Sequence, residues 1–322
     1  MFSNTNNILN NTYKEINMID LVLLGCGGNM PMPNRFLSSL FINYMGRKIL
    51  IDCGEGTQVS MRMKNCGFKN IDLICITHLH GDHINGLIGL LSTIGNSSRT
   101  EDLTIVGPKG IIDVMNAIKV LIEYLPYKIN IIENPHGSFS LSNGLLKDVE
   151  ISTLKLQHST ECLGYSLYFK RKAKFNIEKA ISNNVPKVLW NKLQSGNNII
   201  LDNIKYTPDM VLGDDRKGVK VSFITDTRPI DTIPDFISDS DLFICESMYG
   251  DDLEISKAVK NRHMTFREAA NLARLGNVKK LLLTHFSPSL EDPNFYLDNA
   301  TKIFKNTVIG EDRLEINLNF KE

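Results

Sequence analysis

The chain of 322 residues has a single tryptophan, only seven histidines, no C-x-x-C pair among six cysteines and no net charge. It also has no apolar run of membrane-spanning length, which leaves out a transmembrane helix. Lys plus Arg and Asp plus Glu number 36 each, so no global field advertises a nucleic-acid partner, and any such binding must rest on a local basic patch. The cysteines at 26, 53, 66, 75, 162 and 245 are scattered and several lie inside apolar runs. That spacing describes buried free thiols in a reducing cytosol, not a disulfide framework. No repeat appears at a solenoid or propeller period. The Asn-rich residues 1–17 lack the apolar core of a signal peptide, and we expect them to be a disordered leader or, alternatively, residues upstream of a start at Met18. The whole chain has ordinary globular composition, 42% hydrophobic and 22% charged, and residues 18–322 are expected to form one domain.

The first strand, Ile19 to Leu24, runs into Gly25-Cys26-Gly27-Gly28. This cluster does not match G-x-G-x-x-G opening a helix, so a dinucleotide site is excluded and the glycines read as a tight connection. The scarce histidines are concentrated instead. Thr77-His78-Leu79-His80-Gly81-Asp82-His83 places four potential ligands in six residues, directly after the β-branched run Ile71 to Ile76. Imidazoles and a carboxylate at the end of a buried strand suit zinc or a similar divalent ion. Other apolar runs end in or lead to Asp52, His158, Asp226, Glu246 and His285, while His263 sits just before the capping-box spacing Thr265-Phe266-Arg267-Glu268. Six of the seven histidines occupy such positions, and His136 is left as a loop residue. Strands alternate with helices in the first half, the α/β rhythm, and ligands in α/β architectures gather at strand carboxyl ends. Convergence on one site is the economical inference.

The stretch 168–196 differs in kind. Lys170, Arg171, Lys172, Lys174, Lys179, Lys187 and Lys192 face a single acid, Glu178, and Phe175 and Trp190 are interleaved with them. On a neutral chain this is the place where a phosphate backbone could be gripped. A solvated basic surface arm is the plainer alternative.

H-x-H-x-D-H resembles the signature of the metallo-β-lactamase superfamily. More narrowly, the chain resembles the ribonuclease Z family. That resemblance rests on Gly25-Cys26-Gly27, Ile51 to Gln58, Thr77 to His83, Phe223 to Arg228, Glu246-Ser247-Met248, His263-Met264-Thr265 and Leu282 to Ser287. It implies a four-layer αββα sandwich with a protruding basic arm, and a zinc-dependent endoribonuclease removing the 3′ trailer from precursor tRNA. It further implies two zinc ions per subunit: His78, His80 and His158 for one, Asp82, His83 and His285 for the other, with Asp226 shared. Two such ions activate water for attack on a phosphodiester. His263 is then the general acid, oriented by Glu246; Asp82 orients the nucleophile; and Asp52 braces the ligand loop. Arg35, Lys170, Arg171, Lys172, Lys174, Trp190 and Lys192 would contact RNA. A cytoplasmic homodimer, one subunit's arm serving the other's site, is also implied. The rival expectation is a small-molecule phosphodiesterase or arylsulfatase-like hydrolase of the same fold. Around Arg35 and along Lys187 to Leu193 the chain departs from the family's usual P-x-K-x-R-N and G-P-x-x-G-x-L patterns.

Overall fold

A computed structural model describes residues 18–141 and 145–320. The leader expected over residues 1–17 lies outside the described residues. In chain order the strands are β1 (Met18–Gly25), β2 (Ser39–Tyr44), β3 (Arg47–Ile51), β4 (Ile71–Cys75), β5 (Leu103–Gly107), β6 (Ile129–Glu133), β7 (Gly137–Ser140) and β8 (Val149–Lys155). They continue with β9 (Leu163–Arg171), β10 (Ile199–Leu201), β11 (Ile204–Tyr206), β12 (Arg216–Ile224), β13 (Leu242–Glu246), β14 (Leu281–Thr284), β15 (Thr307–Ile309) and β16 (Leu314–Asn319).

Two sheets of seven strands result, ordered β16-β1-β2-β3-β4-β5-β6 and β15-β14-β13-β12-β9-β8-β7. Each has an all-parallel stretch, β3 to β6 in one and β12 to β15 in the other. Parallel strands are covered on both faces, so their sequences are near-continuous apolar runs, and β13 and β14 are buried at every residue. Helices Thr57–Met63, Leu87–Asn96 and Ile111–Leu121 share one apolar cluster with the first sheet. Helix Phe266–Leu275 covers β13 and β14 with Phe266, Ala269, Ala270, Leu272 and Ala273; its alanines allow a close approach. Between the sheets, the buried Tyr165 hydroxyl of β9 donates to Ile76 O just beyond β4 (2.8 Å). The order of layers is helix, sheet, sheet, helix: an αββα sandwich.

The local signals act as their chemistry dictates. Thr265 Oγ1 accepts from Glu268 N (3.3 Å) and Glu268 Oε2 accepts from Thr265 N (2.9 Å), closing the capping box. The hairpin β2–β3 turns at Met45-Gly46, both with positive φ. The helical segment after the histidine motif is interrupted: a turn over Gly81–Ile84, then helix Leu87–Asn96.

The chain divides into two compact units. The larger comprises residues up to Tyr168 together with Lys220–Asn319; the smaller comprises Phe169–Val219 together with residues from Phe320. Within the smaller, helices Ile177–Ser182 and Trp190–Gln194 and the hairpin β10–β11 surround a core of Ala180, Val185, Leu189, Leu193, Tyr206 and Val211. The six cysteines are free, five of them buried. Among the described residues no helix is long and apolar enough to cross a membrane.

Candidate metal centre and active site

Each parallel stretch delivers polar residues from its strand ends, and the local backbone is forced into unusual shapes to aim them. Asp52 (φ 60°), Asp226 (φ 43°) and His285 (φ 60°) all adopt the left-handed region. Residues other than glycine sit there uncommonly, Asn, Asp and His more readily than the rest, and such conformations persist where surrounding structure over-determines them.

The donors converge in two sets. In the first, His80 Nδ1 lies 3.1 Å from His78 Nε2 and 3.3 Å from His158 Nε2, and Asp226 Oδ2 is 3.6 and 3.7 Å from those same two Nε2 atoms. In the second, His83 Nε2 and His285 Nε2 are 3.1 Å apart, and each is 3.4 Å from Asp82 Oδ2. Asp226 Oδ1 lies 3.3 Å from His83 Nε2 and 3.1 Å from His285 Nε2. One oxygen of Asp226 thus faces each set. Metal–nitrogen bonds of ~2.05 Å in a tetrahedron place donors about 3.3 Å apart, which these spacings match. The donor chemistry fits as well. Burial, reinforced by His83, holds the His78 imidazole well below its ordinary pKa and hence neutral, the form that ligates. Burial opposes charge on Asp226, yet the facing His285, His83 and His78 hold its carboxyl well below the usual carboxylate range. The residues present fit two zinc ions.

Behind the donors lie partners that set ring tautomers. Asp52 is fully buried; its carboxylate accepts from Thr77 N (2.8 Å) and Thr77 Oγ1 (2.9 Å) and from His83 Nδ1 (2.7 Å). Thr77 Oγ1 in turn receives His78 Nδ1 (3.1 Å). His158 Nδ1 donates to Arg262 O (3.3 Å). Among the described residues, His285 Nδ1 is buried with no hydrogen-bond partner.

His263, just before helix Phe266–Leu275, shares the cluster with Asp226 and His285. Its Nδ1 is 3.1 Å from Glu246 Oε1 and 3.9 Å from Asp226 Oδ2. Glu246 ends β13 fully buried and also accepts from Thr227 N (2.7 Å) and Met264 N (3.1 Å). Burial alone would lower the His263 pKa, but the charge and hydrogen bond of Glu246 outweigh it and push it up to about 9. Arg228 donates to His263 O and to both carboxylate oxygens of Glu268, so the capping box also anchors the His263 loop. A cavity of about 790 Å³ opens over these groups, lined by His80, Asp82, His158, Asp226, His263 and His285 among others.

The remaining sequence candidates fall elsewhere. Arg35 spends its guanidinium on the carbonyls of Ser287 (3.1 Å), Leu290 (2.9 Å) and Glu291 (3.1 Å), a loop-bracing use. Trp190 is half-buried in the smaller unit; its Nε1–H donates to Val185 O (3.0 Å) and its ring lies 5.0 Å from Phe175. Lys172, Lys174 and Lys192 are exposed residues of that unit, which also carries Lys170 and Arg171. His136 is exposed between β6 and β7.

The glycine cluster after β1 means more than its sequence suggested. A Cβ on Gly28 would lie 2.4 Å from the His285 ring, and Asn29 N donates to Asp82 Oδ2 (2.6 Å). The backbone here forms a wall of the site, lying against one candidate ligand and donating a hydrogen bond to another. The signal available was the paired glycine after an apolar strand; nothing in it named the histidine it would face. Gly54 is similar, its missing Cβ leaving room for Asp82 O at 2.3 Å.

Paired seven-stranded sheets, helices outside, and two donor sets sharing one aspartate at the strand ends define a metal-dependent hydrolase of the metallo-β-lactamase class. A family model described as Anti-Pycsar protein Apyc1 matches residues 19–211. Among curated proteins, ribonuclease Z of Clostridioides difficile (strain 630) is 73% identical over 305 residues, covering 95% of this chain and 100% of that protein. Ribonuclease Z of Clostridium beijerinckii is 62% identical over 307 residues, with 95% and 100% covered. Among solved structures, the short form of human tRNase Z superposes with a TM-score of 0.67 at 25% identity, covering 92% of this chain and 98% of the other. The chain belongs to the ribonuclease Z family.

Proposed function

We propose that the protein is a zinc-dependent endoribonuclease that removes the 3′ trailer of precursor tRNA and leaves a 3′ hydroxyl on the tRNA. The observation that carries this reading is the 73% identity to a ribonuclease Z along the whole of that relative.

Zinc held by the two donor sets supplies Lewis acidity at the phosphoryl group and brings the pKa of water near neutrality. The chain's own residues do the rest. Asp82, fixed by Asn29 N, orients the attacking water beside the scissile phosphorus. As the new oxygen–phosphorus bond forms, the bond to the 3′ oxygen breaks, and that oxygen needs a proton. His263 is the donor: protonated at neutral pH by its partnership with Glu246, it presents its other nitrogen while Nδ1 stays tied. Asp52 keeps His83 and the Thr77 loop in register throughout. Lys170, Arg171, Lys172, Lys174 and Lys192 supply phosphate contacts along the tRNA, and Trp190 holds together the small core that presents them. The reading extends to a cytoplasmic homodimer in which one subunit's arm serves its partner's site.

The test is cleavage of a 3′-extended precursor tRNA by zinc-loaded protein, with the cut mapped and His80→Ala as control. A cut near the discriminator base, lost in the control, supports the proposal. Turnover of a simple phosphodiester without tRNA cleavage would transfer the function to the small-phosphodiester reading.

A further inference from the structure

The helix Ile255–Asn261 ends at Arg262, whose φ of 60° and ψ of 46° place it in the left-handed region at the C-cap. Glycine or asparagine is the inexpensive choice at such a position. Here the position carries a long cationic side chain, and that side chain is used. The guanidinium Nη1 donates to His158 O. In the reverse direction, the carbonyl oxygen of Arg262 accepts from His158 Nδ1 (3.3 Å). Each side chain donates to the other residue's carbonyl oxygen, one contact in each direction. His158 Nε2 is left facing His80 Nδ1 and Asp226 Oδ2.

This strut is unlike those of the other histidines. His78 and His83 are held by Thr77 and Asp52, buried residues at the ends of β4 and β3. His158 follows β8 in a loop, and its support comes from a second loop, the one that carries His263 as the next residue. The same pair of loops is also joined at a distance by Arg228, whose backbone N–H donates to Gln157 O (3.1 Å) and whose side chain donates to His263 O. Arginine at 262 therefore makes the geometry of a zinc ligand depend on the seating of the proton donor.

We propose that Arg262 is a positioning residue for His158, and that its guanidinium, not the backbone alone, sets the affinity of the donor set His78, His80, His158 and Asp226 for its zinc ion. The proposal concerns how the site is held and rests on the metal-site assignment, not on the identity of the RNA substrate.

The measurement is zinc affinity by chelator competition on Arg262→Gly and Arg262→Asn, alongside the thermal midpoint of the metal-free proteins. Both substitutions accept positive φ and leave the carbonyl that receives His158 Nδ1. The expected result is that one of the two zinc ions binds about 10–100-fold more weakly, the usual cost of losing a partner behind a ligand, while the metal-free midpoint is unchanged or raised by relief of backbone strain. Two zinc ions bound at parental affinity in either folded variant would overturn the proposal. So would weaker zinc binding accompanied by an equal fall in metal-free stability, since the side chain would then serve the fold at large. Failure of the parental protein to bind two ions at all would instead remove the metal-site assignment beneath it.

Discussion

On the proposed function, the two compact units solve different physical problems. In the larger, the chemistry is carried by side chains that are nearly all buried, several fixed by a named partner, and three of them, Asp52, Asp226 and His285, sit in left-handed conformations. In the smaller, a core of six buried residues supports exposed lysines and exposed apolar side chains such as Ile177, Ile181, Val188 and Ile200. Catalysis on phosphodiesters needs donors placed to a fraction of an ångström, whereas gripping a polyanion needs charge of the right sign over a broad face. The first demand tolerates almost no substitution at its positions; the second is met by composition. A substitution in the larger unit should therefore be read in metal content and rate, one in the smaller in affinity and salt dependence.

The strongest way to test that division is at Asp226, the residue both donor sets share. Asp226→Ala should take zinc content from two ions per chain to fewer than one and abolish measurable cleavage of RNA and of a small phosphodiester alike. Elemental analysis of the purified variant checks it, and retention of two ions would show that the sets do not depend on a shared carboxylate. Zinc removal from the parental protein should expose the same dependence as stability. With free zinc at about a thousand times its dissociation constant, one bound ion contributes about 4 kcal/mol, so chelation should lower the melting midpoint by roughly 10 °C. Next in size is His263→Ala. Loss of a general acid slows a chemical step by about 10²–10⁴-fold, and because Nδ1 binds Glu246 and not a ligand, zinc content should stay at two. Single-turnover rates and metal analysis on one preparation separate these effects; a parallel loss of zinc would make His263 a ligand instead of a proton donor.

The same division explains what could be read from sequence. The histidine motif, Asp226, Glu246 and His285 stood out because each ends an apolar run, and strand ends in parallel sheets converge. The capping box at Thr265 and Glu268 was equally legible, being local. What escaped was whatever depended on residues distant in sequence: Gly28 lying against the His285 ring, Asp82 receiving Asn29 N, and Arg262 gripping His158. A glycine pair shows that the backbone must pass close to something; it does not show to what. The last strand, Leu314–Asn319, alternates apolar and polar in plain view, yet only the pairing of Leu21 with Ile316 reveals that it flanks β1 at the sheet edge. In the smaller unit, the basic stretch was visible as composition, but its compact unit runs on to Val219 through a hairpin whose partners the charge pattern never touched. Trp190 and Arg35 were singled out by residue type, and their present contacts are an apolar core and a carbonyl cradle.

Smaller effects are expected where charge is spread. Replacing Lys170, Lys172, Lys174 and Lys192 together by alanine should raise KM for precursor tRNA, leave turnover of a small phosphodiester at the parental rate, and flatten the salt dependence of binding. Each lost phosphate contact removes about 0.7–0.9 from the slope of log affinity against log salt concentration. An unchanged slope would mean that RNA is held elsewhere.

The finest test asks whether the smaller unit has a stability of its own. Trp190 is the only tryptophan and packs against that unit's core, so fluorescence excited selectively at tryptophan reports on that unit. A core of this size is marginal, and its unfolding in urea should precede the loss of backbone circular dichroism, which is dominated by the two sheets. Trp190→Ala removes that reporter, so its effect on the smaller unit is followed by amide hydrogen exchange instead. Removing a half-buried indole and its bond to Val185 O costs about 2 kcal/mol, equivalent to roughly 30-fold faster amide exchange across residues 169–219. Exchange in β13 and β14 should not change, because nothing in their packing includes that ring. If protection in those central strands falls by the same factor, the two units unfold as one, and the separation between a rigid chemical site and a compositional grip is one of sequence only.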